Sequence, residues 1–508
     1  MTPSGADTRR ELVWGGGATA VSLLVPLLVR AWMGARVFPR PWSDEVHFLL
    51  PSAPFQSGRL FNAEGMLNPQ GIYWIPSGFT VFHASWSTLL GETTLAGARF
   101  ASALLIAIAA GALFRFGRLA APSQHPWQAA ILAVSWATTV QCTIAANVAR
   151  PEALVLPLVI GSGIYAMRRD RIATVSLAVI AALVHPLLAF PALLYGYLTL
   201  WTTGRRSAWP ARAALLACAL ALAALELTLL LTHWETYIGD WVYQLQRKKG
   251  RPLGPLTFLS MGAVGAVVVL APIALRIGRA WPDTWRITVL AAGVGGFLFV
   301  QGYGQEMWYT PFTVTAGLML LLSGAAGADL LGRGQSGFGR VVGRIAAYAA
   351  GPTMLAASMA IWLFAFARGH IQGLPIELQQ LREMASDLDE VAAMVAEATE
   401  RDPGRLLVSD VLTGDAISDL QRGRLFTTNA RSVAPLEARF VRALSFKQGS
   451  DLSEALAGHR CIAQREMTTT FGHFAITDMT LRPSEQRAGR GFEPCVPLKA
   501  TQSMEGRR

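Results

Sequence analysis

The sequence predicts an all-α polytopic membrane protein that carries a small α/β domain at its C-terminal end. Three observations lead to this fold class. Apolar residues make up 52% of the 508 residues and charged residues only 15%, and the mean hydropathy is +0.37, which excludes an ordinary soluble protein. Long apolar segments alternate with short arginine clusters as far as residue 368. From residue 369 onward the chain is polar.

The first apolar segment, 12–35, is long enough to cross a bilayer at about 20 residues per crossing. It contains Arg30 and lacks a small-residue cleavage site, which argues against a signal peptide. Arg9 and Arg10 precede it and place the N-terminus in the cytoplasm. By the same length rule, the further predicted spans are 94–114, 127–147, 151–167, 172–185, 187–203, 211–233, 255–275, 287–303, 309–331 and 343–367.

Arginines recur in alternate connections between these spans, as the positive-inside rule expects for a cytoplasmic N-terminus. With about eleven crossings, the C-terminal part lies outside, and the predicted location is a bacterial inner membrane with the site facing the periplasm. The net charge of +11 reflects this topology. It is not a nucleic-acid signal, because no continuous basic face is present. The arginines are Arg115, Arg118, Arg168, Arg169, Arg171, Arg205, Arg206, Arg212, Arg276, Arg279, Arg286, Arg333, Arg340 and Arg344.

The first outer loop, 37–92, carries two adjacent acidic residues directly after the first span, Asp44 and Glu45. A carboxylate at the membrane edge is costly unless it is functional or paired. In a helical turn the two side chains point about 100° apart, so only one can face a given substrate. We predict that Asp44 is a general base. The alternative is a solvated loop in which Arg36 and Arg40 pair with the carboxylates.

The same loop contains a segment, 77–90, with aromatic residues at helical spacing. It is predicted to form an amphipathic helix that lies in the membrane interface and does not cross it. A true transmembrane helix is the alternative, and it would reverse the side of every later loop. The arginine distribution argues against that reversal.

Other outer connections also carry charge. Arg150 and Glu152 flank Pro151 at the start of a span, and Glu306 and Tyr309 lie in a Gly-rich, aromatic connection. Within the span 211–233, Glu226 is predicted to form a structural ion pair with Arg30 or Arg99, because an unpaired carboxylate in lipid costs several kcal/mol.

A basic cluster on the outer side departs from the positive-inside trend and calls for an anionic partner. Lys and Arg bind phosphate by charge and hydrogen bonds, so we predict a lipid-phosphate site here. Non-specific contact with outer-leaflet lipid is the alternative. The cluster consists of Arg247, Lys248, Lys249 and Arg251.

The polar region 369–508 is predicted to be a separate domain outside the membrane, following a transmembrane domain of residues 1–368. Segment 375–400 indicates an amphipathic helix, and strands are predicted at 406–408, 461–468 and 473–480. In an oxidising compartment Cys461 and Cys495 could form a disulfide.

Several of these features together resemble the GT-C superfamily of membrane glycosyltransferases. The features are the Asp44-Glu45 pair after the first span, the interfacial segment, Gly97-Ala98-Arg99-Phe100 opening the second span, Arg150-Pro151-Glu152, and Tyr309-x-Pro311. The branch they resemble contains protein O-mannosyltransferases and the lipid A aminoarabinose transferase. The resemblance covers the membrane part of the chain.

The resemblance implies an inverting glycosyltransferase that uses a polyprenyl- or dolichyl-phosphate sugar as donor. It gives Asp44 the role of the catalytic acidic residue of the first loop, Glu152 that of a second acidic residue near the active site, and Glu306 and Tyr309 that of a donor-facing mouth. Relatives often carry a basic residue just before this tyrosine, where the present chain has Trp308. We therefore assign the phosphate contact to the 247–251 cluster, and count Arg150 among the donor-binding residues.

The implied partners are the lipid-linked donor, a lipid, glycan or protein acceptor, and the membrane, with no nucleic acid. No cofactor is required and no residues have metal-ligand spacing, although a divalent metal is not excluded. Two alternatives stay open. One is a transporter or flippase of lipid-linked sugars, which the absence of an internal repeat disfavours. The other is a polymerase or ligase that uses lipid pyrophosphate oligosaccharides.

Overall fold

The computed structural model of the chain shows a helical membrane region and a mixed β-sheet. The chain divides into two compact units. One comprises Met1–Trp32, Tyr73–Trp86 and Gly97–Leu378, and the other comprises Met33–Ile72, Ser87–Ala96 and Gln379–Arg508. The structure describes residues 5–33, 45, 48–49, 76–91, 95–122, 125–202, 209–247, 255–277, 282–304, 309–334, 356, 360, 397, 406–409, 425–427, 440–446, 461–471 and 474–482.

The helices follow the predicted spans closely, with an additional helix after residue 233. In chain order they are α1 (Gly5–Met33), α2 (Gly78–Leu90), α3 (Leu95–Ala120), α4 (Pro126–Ala137), α5 (Val140–Ala145), α6 (Pro151–Met167), α7 (Arg171–Val184), α8 (Phe190–Leu200), α9 (Trp209–Thr232), α10 (Trp234–Arg247), α11 (Pro255–Ile277), α12 (Pro282–Gly304) and α13 (Thr310–Gly334).

Within the described part of the chain, four helices are long and apolar enough to cross a membrane. They are Arg9–Ala31, Leu95–Ala120, Pro210–Thr232 and Trp285–Gly302, and five apolar helices are shorter. The chain is therefore a multi-pass membrane protein. The predicted total of about eleven crossings stays a prediction, because the span 343–367 lies almost wholly outside the described residues. Helix α2 has 13 residues, which is too short for a crossing.

The predicted span 127–147 is not one continuous helix, since the chain breaks there into α4 and α5. Two adjacent threonines cause the break. The Thr138 hydroxyl donates to the carbonyl of Val134 (2.9 Å) and the Thr139 hydroxyl to that of Trp136 (2.8 Å). Thr139 also accepts from the Cys142 amide (3.3 Å) as the N-cap of α5. Such side chains compete with the helical backbone for its hydrogen bonds.

Helices α6 to α9 pack side by side, and α8 also packs on α12, which pairs with α11 and α13. The contact between α8 and α12 is close because a glycine lies there. A Cβ atom at Gly296 would lie 2.8 Å from the Cα of Pro191. The two backbones therefore approach one another at a distance that only glycine permits.

A buried ion pair joins helix ends that carry arginines of the predicted cytoplasmic connections. Asp170 is the N-cap of α7 and accepts from the Ala173 amide (3.3 Å). Its carboxylate also accepts from Nε of Arg212, at 3.1 and 3.0 Å. The neighbouring Arg171 donates to the carbonyls of Thr199 and Leu200, the last two residues of α8, and to that of Thr202 just beyond them. These contacts join the start of α7, the end of α8 and the start of α9.

A second ion pair at arginine-bearing helix ends is more exposed. Arg115 donates to Glu11 at 2.7 Å, with exposed side-chain fractions of 42% and 30%. This contact explains why α3 continues to Ala120, although the apolar pattern predicts an end at residue 114. Arg115 and Arg118, which follow residue 114, stay in the helix because both contact Glu11 of α1.

The second unit contains a five-stranded mixed sheet in the order β2-β1-β3-β5-β4. Strand β1 pairs in parallel with β2 and β3, and β5 pairs antiparallel with β3 and β4. The predicted strands correspond to β1, β4 and β5, and the predictions missed β2 and β3. The strands are β1 (Leu406–Ser409), β2 (Leu425–Thr427), β3 (Phe440–Phe446), β4 (Cys461–Phe471) and β5 (Phe474–Arg482).

We expect Arg212→Met to destabilise the protein strongly. The substitution removes the Arg212 guanidinium from the Asp170 carboxylate, whose side chain is 1% exposed, and breaking a buried pair in this way costs about 3–5 kcal/mol. The matched control is Arg115→Met, which removes an exposed pair worth less than about 1 kcal/mol. Thermal unfolding in detergent should show a large loss for the first variant only. Equal losses would contradict the assignment.

Candidate functional site

The predicted site residues fall into two groups. Asp44, Lys248, Lys249, Arg251, Glu306 and Cys495 lie outside the described residues. Of the others, Cys461 is the first residue of β4, Arg247 is the last residue of α10, and Glu45 is fully buried. Their predicted roles stay predictions.

The structure brings Arg150 and Glu152 together as a buried ion pair. The guanidinium donates to the carboxylate through Nε (3.3 Å to both oxygens) and through its terminal nitrogen (3.2 Å). The two side chains are only 8% and 5% exposed. A pair so deeply withdrawn from water is maintained only when the geometry compensates the loss of hydration.

Local sequence explains how residues only two apart can pair. Arg150 is the N-cap of α6 with extended backbone angles, and Pro151 occupies the first helical position. A proline favours an extended conformation in the residue before it, which turns the arginine back over the first turn. Glu152 lies in that turn, where the helix dipole stabilises negative charge.

The turn before this pair is fastened to α1. The Asn147 side-chain amide donates to the carbonyl of Pro26 (3.2 Å) and to that of Thr143 (2.9 Å). Asn147 and Thr143 are fully buried. Asn147 therefore fixes the connection that carries Glu152 against the first helix. Asn147 carries no charge, so the charge pattern of the sequence did not reveal this contact.

The predicted ion pair of Glu226 with Arg30 or Arg99 is wrong. Its Oε2 accepts from the backbone amide of Ser77 (2.8 Å), and its Oε1 accepts from the hydroxyl of Tyr237. The residue is 9% exposed, so two neutral donors hold a nearly buried carboxylate. We call this group, Glu226 with Ser77 and Tyr237, the Glu226 junction.

Tyr237 is a donor in this junction. Burial raises the pKa of its phenol, and the hydrogen bond and the charge of Glu226 raise it further. The hydroxyl therefore keeps its proton at neutral pH and remains available to the carboxylate. One signal in the sequence could have revealed this partner, because residues 226 and 237 lie on the same face if the helical period continues from α9 into α10.

The start of α2 fits tightly against the end of α7. A Cβ atom at Gly78 would lie 2.7 Å from the carbonyl oxygen of Leu183 and 3.1 Å from a methyl group of Val184. No larger residue fits there without a shift of the backbone. The adjacent Ser77 is the amide donor to Glu226, so the close packing and the hydrogen bond fix the same turn of chain.

Tyr309, a predicted donor-facing residue, is 3% exposed and contacts a residue that the sequence did not connect with it. The ring of His185 lies edge-on to the ring of Tyr309, with centroids 6.3 Å apart. The Nδ1 atom of His185 accepts from the Leu188 amide at 3.4 Å. This contact leaves Nε2 to carry the proton in the neutral ring. Across the described residues, no group of three or more His, Cys, Asp or Glu side chains could hold a metal ion.

We expect Arg150→Met to lower the stability of the protein by about 3–5 kcal/mol, because it leaves Glu152 buried without its cation. The double variant Arg150→Met with Glu152→Leu should recover most of this loss, since it removes both charges. Thermal unfolding of the two variants measures the difference. A double variant as unstable as the single one would show that the pair is not the source of the loss.

The pH dependence of stability should report on His83 in α2. Burial lowers its pKa to about 3, and the ring contacts Phe79 and Phe82 edge-on, with centroids 4.4 and 5.1 Å away. The unfolded chain binds a proton below about pH 6.5 and the folded chain does not, so stability falls as the pH falls from about 6.5 towards 3. Between pH 7 and 5 the free energy of unfolding of the wild type should fall by about 2 kcal/mol more than that of the His83→Phe variant. Thermal unfolding at each pH measures the difference.

No protein-family model matches the chain, and no curated protein sequence matches it. Solved structures do. ArnT from Cupriavidus metallidurans bound to undecaprenyl phosphate superposes with a TM-score of 0.51 at 12% identity, over 92% of this chain and 98% of that one. The same protein in the apo state gives 0.48 at 11% identity, over 92% and 97%.

A weaker likeness is to the oligosaccharyltransferase of Archaeoglobus fulgidus in the apo form, with a TM-score of 0.41 at 11% identity, over 84% of this chain and 65% of that one. The superposition on ligand-bound ArnT covers nearly the full length of both chains. This chain therefore has the fold of the ArnT structure.

Proposed function

We propose that this chain is an inverting glycosyltransferase that transfers a sugar from a polyprenyl-phosphate donor to an acceptor at the outer face of a bacterial inner membrane. The observation that carries the proposal is the likeness, over 92% of this chain, to an ArnT structure bound to undecaprenyl phosphate. Because a fold alone does not determine an activity, the site residues must supply the chemistry.

The reaction needs a base and a cation. A hydroxyl or amine acceptor loses a proton as it attacks the anomeric carbon, and a positioned carboxylate that takes the proton contributes about 10²–10⁴-fold in rate. We assign this role to Asp44. The leaving group is a lipid phosphate that is already anionic, so it needs electrostatic stabilisation and no general acid. Arg247, Lys248, Lys249 and Arg251 are assigned to it.

The Arg150–Glu152 pair supports a division of labour between the two acidic residues. Arg150 holds the Glu152 carboxylate at hydrogen-bond distance, so the oxygens of that carboxylate are already engaged by a cation. Glu152 therefore serves better to orient the acceptor than to take its proton, and Asp44 remains the better candidate for the base. The same contact occupies Arg150, which favours the 247–251 cluster as the principal phosphate ligand.

The membrane topology is consistent with this assignment. Under the predicted cytoplasmic N-terminus, Asp44, Glu152, Tyr309 and the 247–251 cluster all follow or begin spans at the outer side. The lipid tail of the donor would stay in the bilayer while its head group enters the site. We assign residues 369–508 to an extracytoplasmic domain that helps to recruit the acceptor.

We expect Asp44→Asn to abolish sugar transfer and to leave donor binding intact, because it removes the base and keeps the shape of the side chain. Purified protein with a radiolabelled polyprenyl-phosphate sugar and an envelope extract as acceptor source would measure both quantities. The loss in rate should be about 10²-fold or more.

Glu235→Gln is the matched control. Glu235 is an exposed carboxylate in the first turn of α10, and its neutralisation should leave the transfer rate unchanged. Undiminished transfer by Asp44→Asn would overturn the assignment of the base. Movement of labelled donor across a vesicle membrane without any transfer would favour the transporter alternative.

A further inference from the structure

Buried hydroxyl and amide groups lie where α1 faces α5. Among the described residues, Oγ of Ser22, Oγ1 of Thr143 and Oδ1 of Asn147 have no hydrogen-bond partner in the protein, and all three residues are 0% exposed. Many hydroxyls elsewhere in the helices donate to a carbonyl one turn earlier, as Thr315 does to Pro311 at 2.7 Å. Buried polar atoms nearly always have a partner in the protein or in ordered water. These three atoms therefore call for a partner that the chain does not supply.

One contact sets the register between the two helices. The Asn147 side-chain nitrogen donates to the carbonyl of Pro26 in α1 (3.2 Å) and to that of Thr143, one turn earlier in its own chain segment (2.9 Å). Ser22 lies one turn before Pro26 on the same side of α1, and both residues are buried. Ser22 therefore belongs to the side of α1 that contacts Asn147.

The two helices run in the same direction. Helix α1 is antiparallel to α3, because Glu11 contacts Arg115 and Thr19, about two turns further along α1, packs on Gly111, one turn earlier in α3. A Cβ atom at Gly111 would lie 2.5 Å from Oγ1 of Thr19. A short connection then leads from α3 into α4, which returns across the membrane region, and α5 continues α4. The turns of α1 and α5 are therefore matched in ascending order.

Ser22 and Thr143 consequently lie at the same level, each one turn before the contact between Pro26 and Asn147. Pro26 adds a further oxygen at this level, because it has no N–H to donate to the carbonyl of Ser22. The orientation of the Asn147 amide is also determined. Its nitrogen faces two carbonyls, so the other atom is the acceptor Oδ1.

The bonding capacity of these four oxygens matches that of one water molecule. A water molecule can donate to the Asn147 amide oxygen and to the Ser22 carbonyl, both of which only accept. It can accept from the hydroxyls of Ser22 and Thr143, both of which can donate. Buried water typically makes about three such bonds to polar groups that have no other partner. The three side chains carry no charge, and a buried cation without an anionic ligand is far less favourable than a neutral molecule.

We propose that one buried water molecule binds between α1 and α5, held by Ser22, Thr143 and Asn147. The water adds a second link beside the bond from Asn147 to Pro26. Together the two links join α1 to the turn that leads into Glu152. The site is independent of the proposed function, since it follows from the contacts and burial of the two helices alone.

A cryo-EM map of the full-length protein, at a resolution that shows ordered water, tests the proposal directly. The expected result is one peak within hydrogen-bond distance of the Ser22, Thr143 and Asn147 side chains. A map that shows other buried water molecules and none at this position would overturn the proposal.

Thr143→Val supplies a thermodynamic test, because the sign of its effect depends on the water. If water is bound, the variant loses a hydrogen bond, and the folding equilibrium constant should fall about threefold to tenfold. Equilibrium unfolding in SDS measures this constant. If no water is bound, the variant loses only an unpartnered hydroxyl, and a stability equal to or above that of the wild type would refute the site.

Tyr195→Phe is the matched control. The Tyr195 hydroxyl is likewise buried and without a partner among the described residues. It lies directly on the backbone of α12, since a Cβ atom at Gly293 would be 2.5 Å from its oxygen. Removal of this hydroxyl should leave the folding equilibrium constant unchanged or raise it, in contrast to Thr143→Val.

Ser22→Ala, alone and combined with Thr143→Val, tests whether both hydroxyls bind the same molecule. The double variant should lose clearly less than the product of the two single losses, because the first substitution already weakens the shared water. Losses that multiply in full would indicate two separate partners and contradict a shared water. Unfolding should also be the same in sodium, potassium and choline chloride, whereas a dependence on Na⁺ or K⁺ would identify a cation site and exclude the water.

Discussion

A carboxylate that is moved out of water must receive a cation or several hydrogen-bond donors, and the described membrane region meets this constraint in two ways. Asp170 and Glu152 each receive an arginine. Glu226 receives a backbone amide and a phenol. The kind of partner determines how firmly each helix end is held. Removing the cation from a buried acid costs more free energy than removing one neutral donor.

The helix ends that carry the arginines of the predicted cytoplasmic connections are held by ion pairs and charged hydrogen bonds. Asp170 caps α7 and binds Arg212, while Arg171 binds the carbonyls at the end of α8. The positive-inside rule predicts the orientation of the helices from these arginines. In the structure, Arg171 and Arg212 also join three helices at one level. At the other end, the Glu226 junction joins α2, α9 and α10 through neutral donors, so that end can rearrange at a lower cost.

Sequence reasoning succeeded where the signal is local. Apolar length predicted the long helices, and the segments predicted as strands, 406–408, 461–468 and 473–480, correspond to β1, β4 and β5. It failed at 127–147 because two threonine hydroxyls outweigh the apolar pattern around them.

Sequence reasoning missed the partner of Glu226 because Ser77 lies 149 positions away and donates through its backbone, which no residue type reveals. The Arg150–Glu152 pair was within reach, since an X-Pro bond turns the arginine back onto the next turn, yet the sequence alone gave both residues separate roles. The parallel partners of β1 are likewise distant in sequence, so β2 and β3 gave no hairpin signal.

The level of the Glu226 junction can be estimated along two separate paths from the Arg212–Asp170 pair. From Asp170 along α7 to Leu183, where Gly78 packs, the rise is about 20 Å, and from Arg212 along α9 to Glu226, which binds Ser77, it is about 21 Å. The two paths agree, as they must if Ser77 and Gly78 occupy one turn of chain. A hydrocarbon core is about 30 Å thick. If the Arg212–Asp170 pair lies at one surface of that core, the turn between α7 and α8 stops about 10 Å short of the other surface. Irregular backbone is tolerated at such a depth only when protein covers it, and the buried Leu188 and Ala189 show that this turn is covered. Ser77 and Gly78, at the start of α2, therefore lie at the same level as Glu226 and the end of α7.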